Sequence, residues 1–432
     1  MAISYKSDPA TPSIKRPRFD LRHDDMRIET IESIERLFEI ELDWDELYKA
    51  DPHAHIYLSS DFLCSVAIRV AGKFRILVAW SDDDRCLGLL PLIVTTRWSK
   101  SEACVVNGLD MLGHVFDSDY TGILCEPAHE TEVCRALAGA VSQMAFARVI
   151  LNYFSGPASR LDAFTSAFDP DVFDTRANEH LINDGQTNNR ICPYVDLPDS
   201  FAEYLAALSS NTRQKLRRLL RQLDSDPTLK VKKSRPETYT QDATILSRLW
   251  YLRHAEQKGQ KRTARLAEVF KEVVMLGLAN GTVYLAILWR DGTPIAAQAN
   301  YIDKAKQHAL FHVAGRDDSV RDLSVGLMLQ AHCIRWAIAN GLKRYDFTIG
   351  NEPYKYSLGG IDREIFSAGV FTRTGTNRIA ALDESSREDV LQLIRRLAAK
   401  GRVADARTAA TQAAQTWPDL KLEADLGELI AR

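Results

Sequence analysis

The sequence predicts a mixed α/β protein of two consecutive units, each with a mostly antiparallel central sheet flanked by helices, plus a C-terminal helical tail. At 432 residues the chain is long for one hydrophobic core. Its second half shows an ordered pattern of two helices, a three-strand meander, a buried helix, a strand, a short helix and a strand, and the first half shows a weaker copy. The predicted segments are a disordered lead-in at 1–25, units at 26–198 and 199–376, and a tail at 377–432.

Composition and charge are those of an ordinary globular protein, with 45% hydrophobic and 26% charged residues. A formal net charge of −3 gives no overall attraction to DNA or to an anionic membrane. No apolar run approaches the roughly 18–20 residues that span a bilayer. The seven cysteines are scattered without a C-x-x-C pair, so we expect neither a disulfide framework nor a metal site, and a cytoplasmic location.

The first unit shows clear but short elements. Asp51-Pro52 interrupts a mostly helical stretch at 35–70, and a polar turn at 81–84 joins two strands into a hairpin. Residues 155–190 contain several Gly and Pro breakers, and we expect them to be irregular. The remaining predicted elements are a strand at 26–32, hairpin strands at 74–80 and 87–94, a helix at 130–145 and a strand at 148–154.

The second unit begins after Leu197-Pro198, with Asp199 or Ser200 as the N-cap of its first helix. The helix at 324–340 is apolar on nearly every face, which predicts a buried helix. The other predicted helices are at 201–208, 216–223, 240–258, 265–280, near Pro353, 390–398 and 420–430. The predicted strands are at 283–289, 295–302, 309–314, 344–349 and 365–372.

The loop at 315–326 is the first candidate binding element, because it joins a strand to the buried helix. Such a loop directs unpaired N–H groups and the positive end of a helix to one point, which suits a pyrophosphate. Arg316 and Arg321 add positive charge, and Gly326 allows a ligand to approach the backbone. The alternative interpretation is a capped loop with solvated arginines.

The segment at 345–355 is the second candidate, because it places reactive side chains at the end of a strand. Attack by an amine or hydroxyl requires a proton acceptor, and departure of a thiolate requires a proton donor. Asp346, Glu352 and Tyr354 can fill both roles. Alternatively, Glu352 caps the following helix and Asp346 is a hydrogen-bonded structural residue.

A basic helix is the third candidate. Residues 211–233 hold eight basic and two acidic side chains, and Arg213, Arg217 and Arg221 recur at helical spacing on one face. This face is either solvated or binds a phosphate-bearing partner, such as a carrier arm or a lipid-linked saccharide. Few aromatic residues lie between these charges, which argues against readout of single-stranded nucleic acid.

Taken together, these segments resemble the GNAT-superfamily acyltransferases of the CelD/BcsL-like cellulose-biosynthesis group, which are relatives of the FemABX peptidyl transferases. The resemblance covers about 196–369 and includes 201–221, 294–298, 326–341, and Asp346 with Gly350, Glu352, Tyr354 and Lys355. The first half matches mainly at Asp119-Tyr120. Motifs of nucleotide hydrolases, dinucleotide enzymes, zinc proteases and α/β-hydrolases do not occur in the sequence.

The resemblance implies two GNAT-like halves, an acyl-CoA donor such as acetyl-CoA, and no metal. It places the coenzyme A pyrophosphate at 321–326, although Ser324 stands where the family usually has glycine. Tyr354 takes the position of the thiol-protonating tyrosine, and Glu352, Asp346 or His312 is the base. The predicted donor site comprises Val313, Gly315, Arg316, Arg321, Ser324, Val325 and Gly326. The predicted acceptor site comprises Asp119, Tyr120, Arg213, Arg217, Tyr251 and Lys355. The resemblance also places Arg253 and His254, with Tyr251, on the helix that lines the acceptor side.

Three functional hypotheses follow. The leading one is an N- or O-acyltransferase in which an amine or hydroxyl of a sugar, saccharide or other small molecule attacks the thioester. Backbone N–H groups at 313–315 would stabilise the oxyanion. The second is a FemABX-like transferase that uses aminoacyl-tRNA, and the third is a catalytically silent subunit of a polysaccharide-synthesis assembly.

Overall fold

The computed structural model describes residues 21–23, 26–177, 181–182, 187–373 and 382–420. Its helices, in chain order, are α1 (Ile34–Glu39), α2 (Glu41–Ala50), α3 (Ser60–Arg69), α4 (Glu130–Ser142), α5 (Ala158–Thr165), α6 (Phe201–Ala207), α7 (Ser210–Ser225), α8 (Tyr239–Lys258), α9 (Gln260–Ala279), α10 (Val325–Ala339), α11 (Pro353–Ser357), α12 (Arg387–Ala399) and α13 (Val403–Thr416).

The strands, in chain order, are β1 (Leu21–His23), β2 (Met26–Ile31), β3 (Phe74–Ser81), β4 (Cys86–Ser99), β5 (Cys104–Met111), β6 (Leu124–Cys125), β7 (Arg148–Phe154), β8 (Phe173–Ala177), β9 (Leu181–Ile182), β10 (Thr187–Asn188), β11 (Tyr194–Asp196), β12 (Leu229–Lys233), β13 (Val283–Arg290), β14 (Thr293–Asp303), β15 (His308–Arg316), β16 (Arg344–Asp346) and β17 (Phe366–Thr372).

The first sheet has nine strands in the order β1-β2-β3-β4-β5-β7-β17-β8, with β6 paired to β4. β5 and β7 run parallel, and neighbours such as β3 and β4 run antiparallel. The sequence of β3 is apolar without interruption from Ile76 to Trp80, and the packing of the strand explains this. Ile76 and Val78 pack into one hydrophobic core, whereas Leu77 and Ala79 pack into another on the opposite face. A strand buried on both faces needs apolar residues at every position.

The second sheet has six strands in the order β11-β16-β15-β14-β13-β12. Its one parallel pair among the described strands is β15 with β16. α10 packs on one face together with α7, and its Met328, Leu329 and Ile334 are buried in that core. The opposite face is covered by α8 and α9 through residues such as Phe270. The buried helix predicted at 324–340 therefore corresponds to α10.

A hydrophobic core joins the two units. Tyr57 and Phe62 of the first unit pack edge-to-face on Tyr301 of β14, with ring centroids 5.3 and 6.0 Å apart. Nearby, the Tyr48 hydroxyl donates a short hydrogen bond to Asp303 at the end of the same strand. Aromatic rings contribute large apolar areas, so this contact holds the two units in a fixed relation.

Two strands cross between the predicted units. β11 precedes the predicted boundary at 198, yet Tyr194 pairs with Asp346 in the second sheet. β17 belongs to the predicted second unit, yet it lies between β7 and β8 in the first sheet. Sequence order thus differs from spatial order, because β-pairing joins residues that are far apart in the chain.

The structure confirms the predicted mixed α/β class and alters several elements. The region 155–190, predicted as irregular, contains α5 and β8. The strand predicted at 344–349 ends at Asp346. The helix predicted from 265 begins at Gln260. Of the predicted lead-in, 1–20 and 24–25 lie outside the described residues, whereas Leu21–His23 pairs with β2. In the tail, α12 and α13 pack against Val105 of β5, and residues 421–432 lie outside the described part.

The strand exchange generates a testable prediction. We expect residues 199–376, expressed alone, to lack a cooperative unfolding transition. This fragment omits β11, which borders β16, and leaves β17 without β7 and β8. An unpaired apolar strand favours aggregation rather than folding. Circular dichroism during urea unfolding would test this against the full chain. A soluble fragment with a single sharp transition would show that the exchanged strands are dispensable.

Candidate functional site

An opening between β15 and β16 defines the site. The two strands pair from His308 with Arg344 to Leu310 with Asp346, and their pairing stops there. β15 continues to Arg316. The chain after Asp346 instead follows the segment before β11, because Phe347 N donates to Pro193 O at 2.9 Å and Gly350 N donates to Ile191 O at 2.9 Å. No described strand therefore pairs with residues 311–316 on that side of β15.

A β-bulge lies in β15 beside the opening. Ala299 of β14 opposes Val313, whereas Asn300 opposes Phe311, so His312 is the extra residue. A bulge redirects a side chain and increases the local twist of the strand. Here it turns the His312 ring towards the α8–α9 face, where the ring centroid lies 5.7 Å from that of Phe270.

A cavity of about 770 Å³ occupies the opening. Its wall reaches both faces of the second sheet, since it includes Gly326 and Leu327 of α10 as well as Trp250 of α8 and Phe270 of α9. The predicted site residues in its wall are His312, Val313, Gly315, Arg316, Ser324, Gly326, Glu352 and Tyr354. The wall also includes Lys215 of the basic helix, and Arg253 and His254, which the resemblance places on the acceptor-side helix. Wall residues that the predicted site omitted include Trp250, Phe270, Gln298, Phe311 and Gln330.

The N-terminus of α10 faces this cavity without a side-chain cap. Ser324 is the N-cap residue, and its side chain makes no capping hydrogen bond. The first turn therefore keeps N–H groups and positive potential for an anionic ligand. Arg316 Nη1 lies 3.3 Å from the position that a Cβ atom on Gly326 would occupy, so the glycine gives this guanidinium room at the helix end. Arg316 also pairs with Asp318, at 2.7 Å.

Glu352 reaches the cavity from the loop before α11. Its side chain is 40% exposed, and Oε2 lies 3.0 Å from Lys355 Nζ. Gly350 allows this arrangement, because it adopts φ = +96° and a Cβ atom there would lie 2.7 Å from Glu352 Oε2. Glu352 makes no side-chain capping bond to α11. The carboxylate is thus directed to the wall rather than used as a helix cap.

Lys355 holds this loop from inside. It is 3% exposed, and its Nζ donates to the carbonyl oxygens of Thr348, Ile349 and Gly350 at 3.1, 2.6 and 2.8 Å. Three carbonyls use all three donors of an ammonium group. We had predicted Lys355 as an acceptor-binding residue, and the structure instead gives it a loop-holding position outside the cavity wall.

Tyr354 lines the cavity near Glu352 and Arg253. Although 41% of its surface is accessible, limited access of its hydroxyl to bulk water raises its pKa, and the negative charge of Glu352 raises it further. The phenol is protonated at neutral pH even with its ordinary pKa, and the raised pKa makes it a weaker acid.

Asp346 does not line the cavity. It is 3% exposed. Its Oδ1 accepts hydrogen bonds from the Tyr120 hydroxyl at 2.8 Å and from Thr348 N at 2.7 Å, and its Oδ2 accepts one from Arg363 at 2.8 Å. A buried carboxylate with these partners has a structural role, so we omit Asp346 from the proposed catalytic set. Tyr120, predicted at the acceptor site, is fully buried and belongs to the same hydrogen-bond network.

His312 has a different environment. The residue is 9% exposed and lines the cavity, and neither ring nitrogen has a hydrogen-bond partner among the described residues. Asp119 of the first unit places Oδ2 4.0 Å from Nδ1 and is itself held by the Tyr57 hydroxyl at 2.9 Å. Asp119 therefore lies behind the ring, on the side of the first unit, and outside the cavity wall.

The other predicted residues lie away from the cavity wall. Arg321 and Arg217 are exposed, and Arg213 donates to Ala206 O at 3.2 Å. Val325 is buried in the core beneath α10, and Tyr251 packs against the core between the units. The basic helix instead contributes Lys215 to the wall. Helical spacing identified the charged face, but the packing of α7 against α10 decides which of its residues reaches the opening.

The residues that the predicted site omitted carry weak sequence signals. Trp250 lies within one and a half turns of Arg253 and His254 on α8, and this clustering of polar and aromatic side chains was its available signal. Gln298 and Gln330 occupy apolar elements and are buried. Both donate to the Tyr345 hydroxyl, at 2.9 and 2.8 Å. A buried amide in an apolar element is a detectable sign of a polar network.

Two further features concern the described part of the chain. No described helix is long and apolar enough to cross a membrane. No group of three or more His, Cys, Asp or Glu side chains in the described ranges is placed to hold a metal ion.

Two glycines in the wall give a testable contrast. A Cβ atom on Gly315 would lie 2.3 Å from Trp250 N and 2.7 Å from Leu249 C, both backbone atoms of α8. We therefore expect Gly315→Ala to lower the free energy of unfolding by about 1–3 kcal/mol, because α8 must shift. Gly326→Ala meets the flexible Arg316 side chain, and we expect its stability to equal or exceed that of the wild type. Urea unfolding measures both, and equal losses would contradict this packing.

Comparisons with known proteins agree with this geometry. Residues 210–356, about a third of the chain, match the profile of the acetyltransferase (GNAT) domain family. No curated protein matches the chain.

Solved structures show similar folds at low identity. FemX has 12% identity over 80% of this chain and 97% of its own, with a TM-score of 0.56. L-PGS from Bacillus licheniformis has 10% identity over 79% of this chain and 92% of its own, with a TM-score of 0.45. A tandem GNAT protein from the clavulanic acid biosynthesis pathway has 10% identity over 81% of this chain and all of its own, with a TM-score of 0.42. Residues 210–356 thus match the acetyltransferase (GNAT) domain profile, and the fold of the chain is similar to that of FemX.

Proposed function

We propose that the protein is an N- or O-acyltransferase. It transfers an acyl group, acetyl in the simplest case, from acyl-CoA to an amine or hydroxyl of a sugar, saccharide or other small molecule. The observation that carries this proposal is the cavity through the opening between β15 and β16, which reaches both faces of the sheet. The GNAT match over 210–356 supports acyl transfer in general.

The donor side of the proposed site is the face with α7 and α10. The uncapped N-terminus of α10 offers N–H groups to a pyrophosphate. Arg316 and Lys215 add positive charge in the same wall. When bound, acyl-CoA supplies a thioester to the opening, and the backbone of 311–316 that lacks a strand partner offers N–H groups to the oxyanion that forms there.

The proton acceptor in this proposal is His312. It lines the cavity, its ring nitrogens have no hydrogen-bond partner in the described ranges, and Asp119 Oδ2 lies 4.0 Å behind it. At 4.0 Å this carboxylate makes no hydrogen bond to the ring, but its negative charge attracts the cation that forms when the ring takes a proton. Glu352, whose Oε2 lies 3.0 Å from Lys355 Nζ, is the second candidate.

The proton donor is Tyr354. Its hydroxyl carries a proton at neutral pH, as every phenol of ordinary or raised pKa does. It lies in the same wall as Glu352 and His312, where it can protonate a departing thiolate.

The resemblance of the sequence to CelD/BcsL-like proteins supports a saccharide acceptor and a role in exopolysaccharide biosynthesis. The seven cysteines are all free thiols, which is typical of a reducing compartment and supports a cytoplasmic location.

A second candidate function is transfer from aminoacyl-tRNA. The exposed cations of α7, Arg217, Arg218 and Arg221, form no ion pair with another described residue. Binding of tRNA at this face would weaken steeply with salt, because phosphate contacts release counterions. Filter binding of total tRNA between 50 and 200 mM salt distinguishes the two donors, because three phosphate contacts would lose about 20- to 40-fold in affinity over this range.

Donor binding provides one test. We expect acetyl-CoA to bind the purified protein, and Arg316→Ala to weaken this binding about ten- to hundredfold, since hydrogen bonds to charged groups contribute about 1.5–3 kcal/mol. Isothermal titration measures both affinities. Arg335→Ala is the matched control, because Arg335 lies near the far end of α10 and pairs with Asp224. Equal losses in the two variants, or no binding by acetyl-CoA or longer acyl-CoAs, would count against the donor site.

Turnover provides another test. We expect Tyr354→Phe and His312→Gln each to lower kcat by about 10²–10⁴-fold, the usual contribution of a positioned acid or base. Initial rates of coenzyme A release with a panel of amino sugars and amines would measure this. Added imidazole should partly restore His312→Gly, which a structural role would not explain. Unchanged kcat in both the tyrosine and the histidine variants would remove these assignments.

A further inference from the structure

Arg253 is a cation in the cavity wall without a counter-ion. It is half-buried on α8 and lines the cavity. Its guanidinium forms no hydrogen bond or ion pair with another residue in the described part of the chain. The other ionic groups of the wall differ, because Arg316 pairs with Asp318 at 2.7 Å and Glu352 pairs with Lys355 at 3.0 Å.

The local field makes this position unfavourable for a cation. Burial lowers the pKa of Arg253, the positive charge of Arg316 lowers it further, and the negative charge of Asp318 offsets this only in part. Of the charged wall residues, Lys215, Arg253 and Arg316 are cationic and Glu352 is anionic. Burial of an arginine is usually compensated by an anionic partner, and its planar fork suits a carboxylate or a phosphate. The missing anion is therefore expected from a ligand.

The position of Arg253 indicates which ligand supplies the anion. Trp250, on the same helix, packs edge-to-face on Phe270 with centroids 4.8 Å apart, and Phe270 in turn contacts the His312 ring. Arg253 thus belongs to the α8–α9 face of the cavity, with the proposed base. The N-terminus of α10 and Lys215 lie on the opposite face.

We propose that the acceptor is an anion: a small amine or alcohol whose carboxylate or phosphate binds Arg253 while its nucleophile faces His312. Trp250 and Phe270 form the apolar wall beside it. This inference rests on the proposed acyl transfer, and it narrows the acceptor to molecules that carry a negative charge within reach of the reacting group.

Matched acceptors test the proposal. The probes are glucosamine 6-phosphate against glucosamine, and alanine against alaninamide, so that each pair differs in one anionic group. We expect at least one anionic member to be preferred in kcat/KM by about tenfold or more, and Arg253→Ala to remove that preference, since a charge-assisted hydrogen bond contributes about 1.5–3 kcal/mol. Arg253→Lys should retain part of it, because the charge remains and the fork is lost. Preferences near one for both pairs would overturn the inference.

Controls separate the possible sources of the effect. Arg248→Ala makes the same charge change on an exposed position of α8 outside the cavity wall, and it should preserve the preference. Titration with acetyl-CoA distinguishes a donor phosphate. If Arg253→Ala weakens acetyl-CoA binding as much as it reduces turnover, the anion belongs to the donor and the acceptor assignment fails.

Direct binding distinguishes failure of the inference from failure of the proposed function. Titration with glucosamine 6-phosphate and with alanine requires no turnover. Binding that depends on Arg253, without acyl transfer to any acceptor, would keep the anion site and reject the transferase. Acyl transfer with equal rates for charged and neutral acceptors would keep the transferase and reject the anion site. Absence of both binding and preference would reject the inference.

Discussion

The opening between β15 and β16 depends on the carboxylate of Asp346. It accepts hydrogen bonds from Tyr120 of the first unit, from Arg363 and from the backbone of Thr348. The bond to Thr348 N holds this residue at φ = +58°, a conformation that non-glycine residues rarely adopt. At this point the chain leaves β15 and follows the segment before β11. A buried carboxylate is stable only with such partners. The unfavourable burial of Asp346 is therefore compensated by residues in direct contact with it.

Lys355 holds the same loop through hydrogen bonds to its backbone. Its ammonium group binds three consecutive carbonyl oxygens and lies beside Glu352. Asp346 and Lys355 together hold 347–352, the segment that follows β16 and bonds to the chain before β11 through Phe347 N and Gly350 N. The wall of the cavity is thus rigid where Glu352 and Tyr354 enter it, as a preorganised catalytic site requires. The first unit contributes through Tyr120 and Asp119, although neither residue lines the cavity.

Much of the second unit could be predicted from local patterns. The apolar character of α10, the meander of β13 to β15 and the strand-to-helix loop at 315–326 are local in sequence, since periodicity and turn residues encode them. His312, Tyr354 and Glu352 were identified because they lie next to these elements. Arg253 was assigned only to the acceptor-side helix and Trp250 was not named, because their side chains reach the cavity through the packing of α8 on Gly315.

Local sequence patterns were enough to assign the fold class and most elements of the second unit, and to name a set of candidate site residues. Which of these candidates share one cavity follows only from the tertiary structure. It placed β17 in the first sheet and β11 in the second, directed Asp346 and Lys355 inward, and set Asp119 behind His312. The physical reason is that strand exchange, burial of charge and the bulge at His312 depend on contacts between residues far apart in the chain. Local propensity carries no information about such contacts.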